Sequence, residues 1–222
     1  MPNWCSTGYY VTTKGFTESE RKKLYPTLLK FLTDVTIATS TDSGTDFGRG
    51  WLGQVYIQAG YKFDSSGDRG WDESWIECRG EVLDVQVDTG YDNEIVGVVM
   101  WCQTAWQPMI ESFQRLVDEK YPGLKLVCCA EEPGCEIYIN TDTAGYRFLD
   151  KYVIATDEDN YYCETDEELL RYLEELTGKR FKDVREAMSS DLEKLYREYK
   201  GDDLDDEYDD VYFAVHEFEC IY

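Results

Sequence analysis

The sequence predicts an α+β protein, because apolar alternation typical of strands is interrupted by capping signals and helical apolar spacing. Along the chain these signals run strand, helix, strands, helix, strand, which is the order of the ferredoxin-like split βαβ arrangement. We therefore expect residues 1–155 to form an antiparallel sheet with helices on one face. Residues 156–222 differ in composition and predict a small acidic helical extension that ends in a strand and packs on the first domain.

Each expected element follows from a local pattern. Strands are predicted where β-branched and aromatic residues alternate with polar ones, in residues 7–13, 51–59, 75–87, 95–104, 124–130, 136–139, 146–155 and 211–222. Helices are predicted after two capping boxes, Thr17 to Glu20 and Thr165 to Glu168, and after Pro108. Two shorter helices are expected in residues 181–188 and 190–199. Pro26 is expected to kink the first helix or to begin its second part.

Negative charge is the strongest compositional signal. The 222 residues carry 46 acids and 22 bases, a formal charge of −24, yet 15% of the residues are aromatic. A disordered polyacid has few aromatic residues, so we expect the charge to lie on the surface of a folded core. Such a surface repels phosphate backbones and attracts basic proteins, which argues against direct nucleic-acid binding.

The eight cysteines predict neither disulfides nor a zinc site. The chain begins without a basic and apolar leader, no apolar run is long enough to span a membrane, and no CxxC pair occurs. We therefore expect a cytoplasmic protein with reduced thiols that are mostly buried, and no cofactor.

No catalytic group is expected. His216 is the only histidine and lies among acidic residues near the end of the chain, so a Cys–His pair would need this one side chain. Asp84, Asp88 and Glu94 are the carboxylates that would converge if the protein were a metal-dependent hydrolase. No motif supports that alternative, and we expect neither a catalytic residue nor a metal site.

Aromatic residues offer a second alternative. A sheet of this kind can stack RNA bases on exposed rings. The residues that would form such a face are Tyr9, Tyr10, Trp51, Tyr56 and Trp101. The negative charge disfavours this function, and an aromatic core is the interpretation we expect.

Two stretches are similar to a known family. The chain opens with Met1-Pro2-Asn3-Trp4-Cys5, and Thr104-Ala105-Trp106-Gln107-Pro108 precedes an amphipathic segment and Tyr121-Pro122-Gly123-Leu124. Together these stretches resemble the YubB-like proteins of plasmids and phages. Over residues 1–150 the resemblance implies a ferredoxin-like fold and a mobile genetic element as the setting.

The resemblance transfers no catalytic residue, because no activity is established for the family. Gln107 and Met109 depart from its pattern, which has Ser and a second Pro there. Independently of the family, Trp106 followed by Pro108 is expected to fix the turn from strand to helix, with the indole over the start of the helix.

The last third of the chain carries the densest charge. Residues 151–222 hold 23 acids and 9 bases, and helix faces at 164–175 and 183–198 together with the run 202–210 are expected to form one acidic surface. The residues predicted to contact a partner are Asp202, Asp203, Asp205, Asp206, Glu207, Asp209, Asp210, Glu167 and Glu174.

We expect this surface to bind a basic host protein. A nucleic-acid-binding defence protein is favoured, because its groove is built to hold regularly spaced negative charge. The corresponding function is non-enzymatic counter-defence of a phage or plasmid, of the anti-CRISPR kind. The alternative is an accessory or structural protein of a mobile element whose acidity serves solubility only.

Overall fold

The computed structural model describes residues 3–42, 48–61, 78–201 and 212–220. The chain divides into two compact units, Met1–Asp142 and Thr143–Tyr222. In the described part, no helix is both long enough and apolar enough to cross a membrane. The α+β class with antiparallel sheets and helices is confirmed.

The first unit is built on a five-stranded sheet in the order β2-β3-β1-β4-β5. Every neighbouring pair of strands is antiparallel. The strands are β1 Trp4–Thr12, β2 Gly80–Thr89, β3 Ile95–Ala105, β4 Lys125–Glu132 and β5 Ile137–Asn140. A short 3-10 turn, Pro133–Cys135, joins the last two strands.

The helices of this unit are α1 Glu18–Ser40, α2 Gly53–Gln58 and α3 Ile110–Lys120. The predicted capping box of α1 is confirmed: Thr17 accepts from the Glu20 amide, and Glu20 accepts from the Thr17 amide at 2.8 Å. Pro26 lies inside α1, which continues as one helix to Ser40, further than the apolar spacing indicated. Pro108 precedes the N-cap of α3 at Met109 instead of being its first residue.

All three helices contribute to one apolar cluster with the same face of the sheet. Tyr9 of β1 stacks on Phe113 of α3 with ring centroids 4.4 Å apart. The Tyr9 hydroxyl accepts a hydrogen bond from the Met109 amide at 2.9 Å, which ties the start of α3 to the sheet. Phe31 of α1 meets Phe113 edge-on at 6.5 Å. The aromatic core is therefore formed where strands and helices meet.

Burial argues against an exposed aromatic face for stacking bases. Tyr9, Tyr10, Trp51 and Tyr56 are at most 4% exposed. Of the five candidates only Trp101 keeps partial exposure, at the intermediate level. A row of rings open to a ligand is absent from these five positions.

The predicted strand at 51–59 is wrong. Trp51 makes a single bridge to Glu81, after which the chain turns into α2. The buried residues of this segment include Leu52, Val55, Tyr56 and Ala59, a spacing of three and four residues that matches one face of a helix. The β-branched content favoured a strand, and the helical period decides the structure.

Trp106 joins β3 to α3 in an unusual backbone conformation. Its φ is +72°, in the left-handed region, and its amide donates to the Asn3 carbonyl at 2.9 Å. The side chain is 49% exposed, so the indole does not form a buried cover over the start of the helix. The turn is held by this backbone hydrogen bond and by the Thr104 hydroxyl, which donates to the Gln107 carbonyl at 2.8 Å.

In its described residues, the second unit combines a three-stranded antiparallel sheet with three helices. The strands, in spatial order β7-β6-β8, are β6 Tyr152–Thr156, β7 Asn160–Cys163 and β8 Phe213–Glu217. The helices are α4 Asp166–Thr177, α5 Val184–Met188 and α6 Leu192–Lys200. Leu169 and Leu173 of α4 pack in one cluster with Tyr196 of α6 and Phe213 of β8.

The division between the units falls at Asp142, earlier than the expected boundary at 155. The reason is the pairing of β6, whose partners are β7 on one side and β8 on the other. Residues 143–155 therefore belong with the C-terminal unit.

Candidate protein-binding surface

The predicted contact residues fall into two groups. Glu167 and Glu174 lie on α4, and both are exposed. The other seven predicted contacts lie outside the described residues: Asp202, Asp203, Asp205, Asp206, Glu207, Asp209 and Asp210. Among the described residues, the candidate surface therefore consists of α4 and its neighbours.

Helix α4 forms because both of its ends are capped and one face is apolar. Thr165 accepts from the Glu168 amide at 3.1 Å, and Gly178 closes the helix with a φ of +65°. The carboxylate of Glu168 accepts from the Glu164 amide at 3.0 Å, one residue earlier than a standard capping box requires. The first turn carries three acids, which the positive end of the helix dipole favours.

The solvent side of α4 presents carboxylates without cationic partners. Glu167 and Glu174 are seven residues apart, so about 10.5 Å separates them along one side of the helix. Glu175 is exposed beside Glu174. Within the described parts of the chain, none of these three forms an ion pair. We call Glu167, Glu174 and Glu175 the α4 acidic face.

One cation interrupts this side of the helix. Arg171 lies between Glu167 and Glu174 in sequence and contacts Glu168 at 3.7 Å. Its guanidinium also sits over the ring of Tyr172, 4.7 Å from the ring centroid. Arg171 is therefore turned toward these neighbours, and the α4 acidic face keeps its charge.

Further acids crowd the N-terminal end of α4. Asp150 is partly buried, and burial together with the charges of Glu164 and Glu168 raises the pKa of its carboxyl. Asp166 differs, because Lys151 contacts it at 2.6 Å and lowers its pKa. Like charges are therefore held close together here, and Lys151 offsets the charge of Asp166.

The acids of 183–198 have partners within their own segments. Asp183 and Asp191 cap α5 and α6 through their side chains. Glu193 and Glu198 form ion pairs with Arg197 and Lys194 on the same helix. These carboxylates are exposed but engaged by amides and cations of their own segment, so one contiguous acidic surface stays a prediction.

The structure does not bring the proposed hydrolase carboxylates together. Asp88 accepts from the Tyr10 hydroxyl at 2.5 Å and contacts Lys14 at 2.9 Å. Asp84 accepts from the Val85 amide and the Gln86 side chain of its own strand. In the described ranges, no group of three or more histidine, cysteine or acidic side chains is placed to hold a metal ion.

The thiols that the structure buries are poor nucleophiles. Burial raises the pKa of Cys78 to about 12 and that of Cys163 to about 11. Burial also raises the pKa of Cys102, which is buried among apolar residues. Thiols held in the protonated form are inert as nucleophiles at neutral pH.

Tyr10 is a residue whose role the sequence did not indicate. Its ring lies over Gly97 of β3: a Cβ at that position would be 2.3 Å from Tyr10 Cε2. Its hydroxyl reaches Asp88 of β2 and accepts from Thr12 at 3.0 Å, so one side chain links β1 to β2 across β3. Tyr10 therefore has a structural role, because its hydroxyl oxygen is hydrogen-bonded to Asp88 and Thr12.

Comparisons with family models, with curated proteins and with solved structures gave no match for this chain.

Proposed function

We propose that the protein is a non-enzymatic binding protein that holds a basic partner through the α4 acidic face and the acidic run that follows α6. The observation that carries this proposal is the exposure of Glu167, Glu174 and Glu175 on one helix without cationic partners among the described residues. The helix fixes the backbone of these three residues before binding, so only side-chain freedom is lost when they meet a cationic surface.

A nucleic-acid-binding protein is the partner we favour. Its groove places cations to meet phosphates, and carboxylates held on a rigid helix supply similar negative charge. A host defence nuclease would meet this description in the cytoplasm of a cell that carries a phage or plasmid. That setting rests on the resemblance of the Trp4 and Trp106 stretches to YubB-like proteins.

For the first unit we propose a ferredoxin-like split βαβ arrangement. The strand order β2-β3-β1-β4 supports it, because β3 lies between β1 and β2 and is antiparallel to β1 and β2. Helices on one face of the sheet are also consistent with it. In this proposal β5 and α2 are additions to the basic pattern.

The test is capture of basic proteins from a host lysate by two variants of equal charge. One variant, Glu167→Gln with Glu174→Gln and Glu175→Gln, neutralises the α4 acidic face. The matched control neutralises three exposed acids of the first unit, Asp92→Asn with Glu111→Gln and Glu136→Gln. We expect the wild type and the control to retain a nucleic-acid-binding protein that duplex DNA displaces, and the α4 variant to lose it.

Solubility alone is the second candidate function. It is favoured by the acids of 183–198, which serve as caps and local ion pairs and present little free charge to a partner. In that case the two variants behave alike: both become less soluble to the same degree, and neither differs from the wild type in what it captures. That result would remove the binding proposal.

A further inference from the structure

A cluster of cations stands out in this acidic chain. Lys179, Arg180, Lys182 and Arg185 fall within seven residues, between the C-cap of α4 and the first turn of α5. We call these four residues the cationic loop. The chain as a whole has 46 acids and 22 bases, so such a concentration of positive charge is unexpected.

No member of the cationic loop forms an ion pair with any residue in the described ranges. Five other cations of the second unit each contact a carboxylate at 2.6–3.8 Å. They are Lys151, Arg171, Lys194, Arg197 and Lys200. The cationic loop therefore differs from these five cations, each of which has a carboxylate partner in the structure.

The two acids within and beside the loop are engaged with the backbone. Asp183 accepts from the Glu186 amide at 2.9 Å, and Glu186 accepts from the Lys182 amide at 2.9 Å. The dipole of α4 favours cations near its last turn, but this effect falls off within a turn. It therefore gives no reason for Lys182 and Arg185 to be cationic.

An exposed aromatic ring lies at the start of the loop. Tyr199 of α6 is 61% exposed and packs against Gly178, where a Cβ would be 2.6 Å from Tyr199 Cδ2. Gly178 directly precedes Lys179, whose Nζ is 4.9 Å from the centroid of the Phe181 ring. An open ring beside unpaired Lys and Arg is the combination with which proteins hold single-stranded nucleic acid.

We propose that the cationic loop and Tyr199 bind single-stranded nucleic acid, with phosphates at the four cations and one base stacked on Tyr199. The total charge of −24 predicted no direct contact with nucleic acid, but that expectation ignores where the charges lie. At physiological ionic strength the Debye length is about 8 Å, so the four cations compete only with nearby carboxylates, among the described residues Glu174, Glu175, Asp183 and Glu186, while distant ones are largely screened. This binding goes beyond the proposed function and does not depend on it.

The experiment measures fluorescence anisotropy of labelled oligo-dT and oligo-U with the full chain, from about 20 to about 200 mM NaCl. Single strands lose about 0.7 in the slope of log K against log salt for each phosphate contact, so four contacts predict a slope of roughly −3. The variant Lys179→Gln, Arg180→Gln, Lys182→Gln, Arg185→Gln should not bind. Tyr199→Leu should weaken binding roughly tenfold, since stacking on one ring contributes about 1–3 kcal/mol.

The matched control removes the same positive charge from the first unit. Lys22→Gln, Lys23→Gln, Lys120→Gln and Lys125→Gln should leave oligonucleotide binding unchanged. The proposal is overturned if the wild type fails to bind at the lowest salt concentration, or if the control and the loop variant lose binding equally. It is also overturned if polyglutamate displaces the oligonucleotide as well as unlabelled oligonucleotide does, since the surface would then fit acidic peptides.

A fold control accompanies the loop variant. If circular dichroism shows that the variant has lost structure, the single changes Arg180→Gln and Lys182→Gln replace it. Each should reduce the salt slope by about 0.7. An unchanged slope in both would contradict the proposal.

Discussion

At the scale of single residues, Trp106 is the backbone outlier with the clearest consequence. A side chain at a φ of +72° is strained by about 1 kcal/mol or more, which glycine avoids. We expect Trp106→Gly to be more stable to urea than Trp106→Ala by about 1 kcal/mol, because both lose the indole and only alanine keeps the strain. Exposed Thr36 in α1 is the control. There we expect the usual order, with Thr36→Ala more stable to urea than Thr36→Gly. Equal stability of the two Trp106 variants would contradict this assignment.

The contact between Gly97 and Tyr10 can also be tested by single substitutions. A methyl group on Gly97 would overlap the Tyr10 ring, so Gly97→Ala should lower the free energy of unfolding by about 1–3 kcal/mol. Tyr10→Phe removes the hydrogen bond to Asp88 and should cost about 1–2 kcal/mol. Gly90→Ala is the control, because its added Cβ would lie 3.3 Å from Val96 Cγ1. If both glycine variants unfold at the same urea concentration, the ring of Tyr10 does not occupy the place assigned to it.

At the scale of elements, the N-terminal end of α4 sets the ionisation of Asp150. Burial comes first among the causes that raise its pKa, followed by the charges of Glu164 and Glu168. Because the folded pKa is above the unfolded value, ionising Asp150 disfavours the folded state as pH rises through this range. We expect NMR titration to place its midpoint above that of an ordinary aspartate, and Glu164→Gln to lower the midpoint without restoring the ordinary value. An unchanged midpoint in Glu164→Gln would rule out the charge contribution.

Local signals predicted most elements of the first unit. The Thr17 capping box, the apolar spacing of α3 and the apolar run of β3 each carry their information in a few neighbouring residues. The strand predicted at 51–59 was wrong, because the β-branched content of this segment favours a strand while its apolar spacing favours a helix. Burial in the folded unit decides between the two. β7 was missed, since Asn160–Cys163 shows no apolar alternation and acidic residues flank it on both sides. The placement of β6 depends on β8, far along the chain, and no local pattern encodes that pairing.

The sequence predicted which residues of the candidate surface are acidic, but not which of their charges the fold engages. The sequence indicated acids on α4, and the structure leaves Glu167 and Glu174 exposed. The caps and ion pairs made by acids of α5 and α6 join residues three or four apart, so their local spacing could have indicated them. The unpaired state of Lys179 and Arg185 could not be predicted locally, because it depends on where the other carboxylates of the folded unit lie. Counting charges treats every charge as available, whereas folding engages some of them and leaves others open.

At the scale of the whole molecule, a formal charge of −24 acts on folding and on association in opposite directions. Like charges repel in the folded chain, so added salt should raise the midpoint of urea unfolding by screening them. Attraction to a basic protein is screened by the same ions, so capture by the wild type should weaken over the same range of NaCl. The α4 variant, with three charges fewer, should show a smaller effect of salt on its unfolding midpoint.

The two measurements together separate the roles of the charge. If salt raises the midpoint and releases the partner, the acidic surface carries both a folding cost and a binding function. If salt raises the midpoint while capture is insensitive to it, the partner is held by apolar contacts and the acidic-face proposal is wrong. If the midpoint does not move, repulsion among the carboxylates costs the fold little, because they are spread apart or offset by local pairs such as Lys200 with Glu158. The net charge would then be a poor guide to how this protein attracts anything.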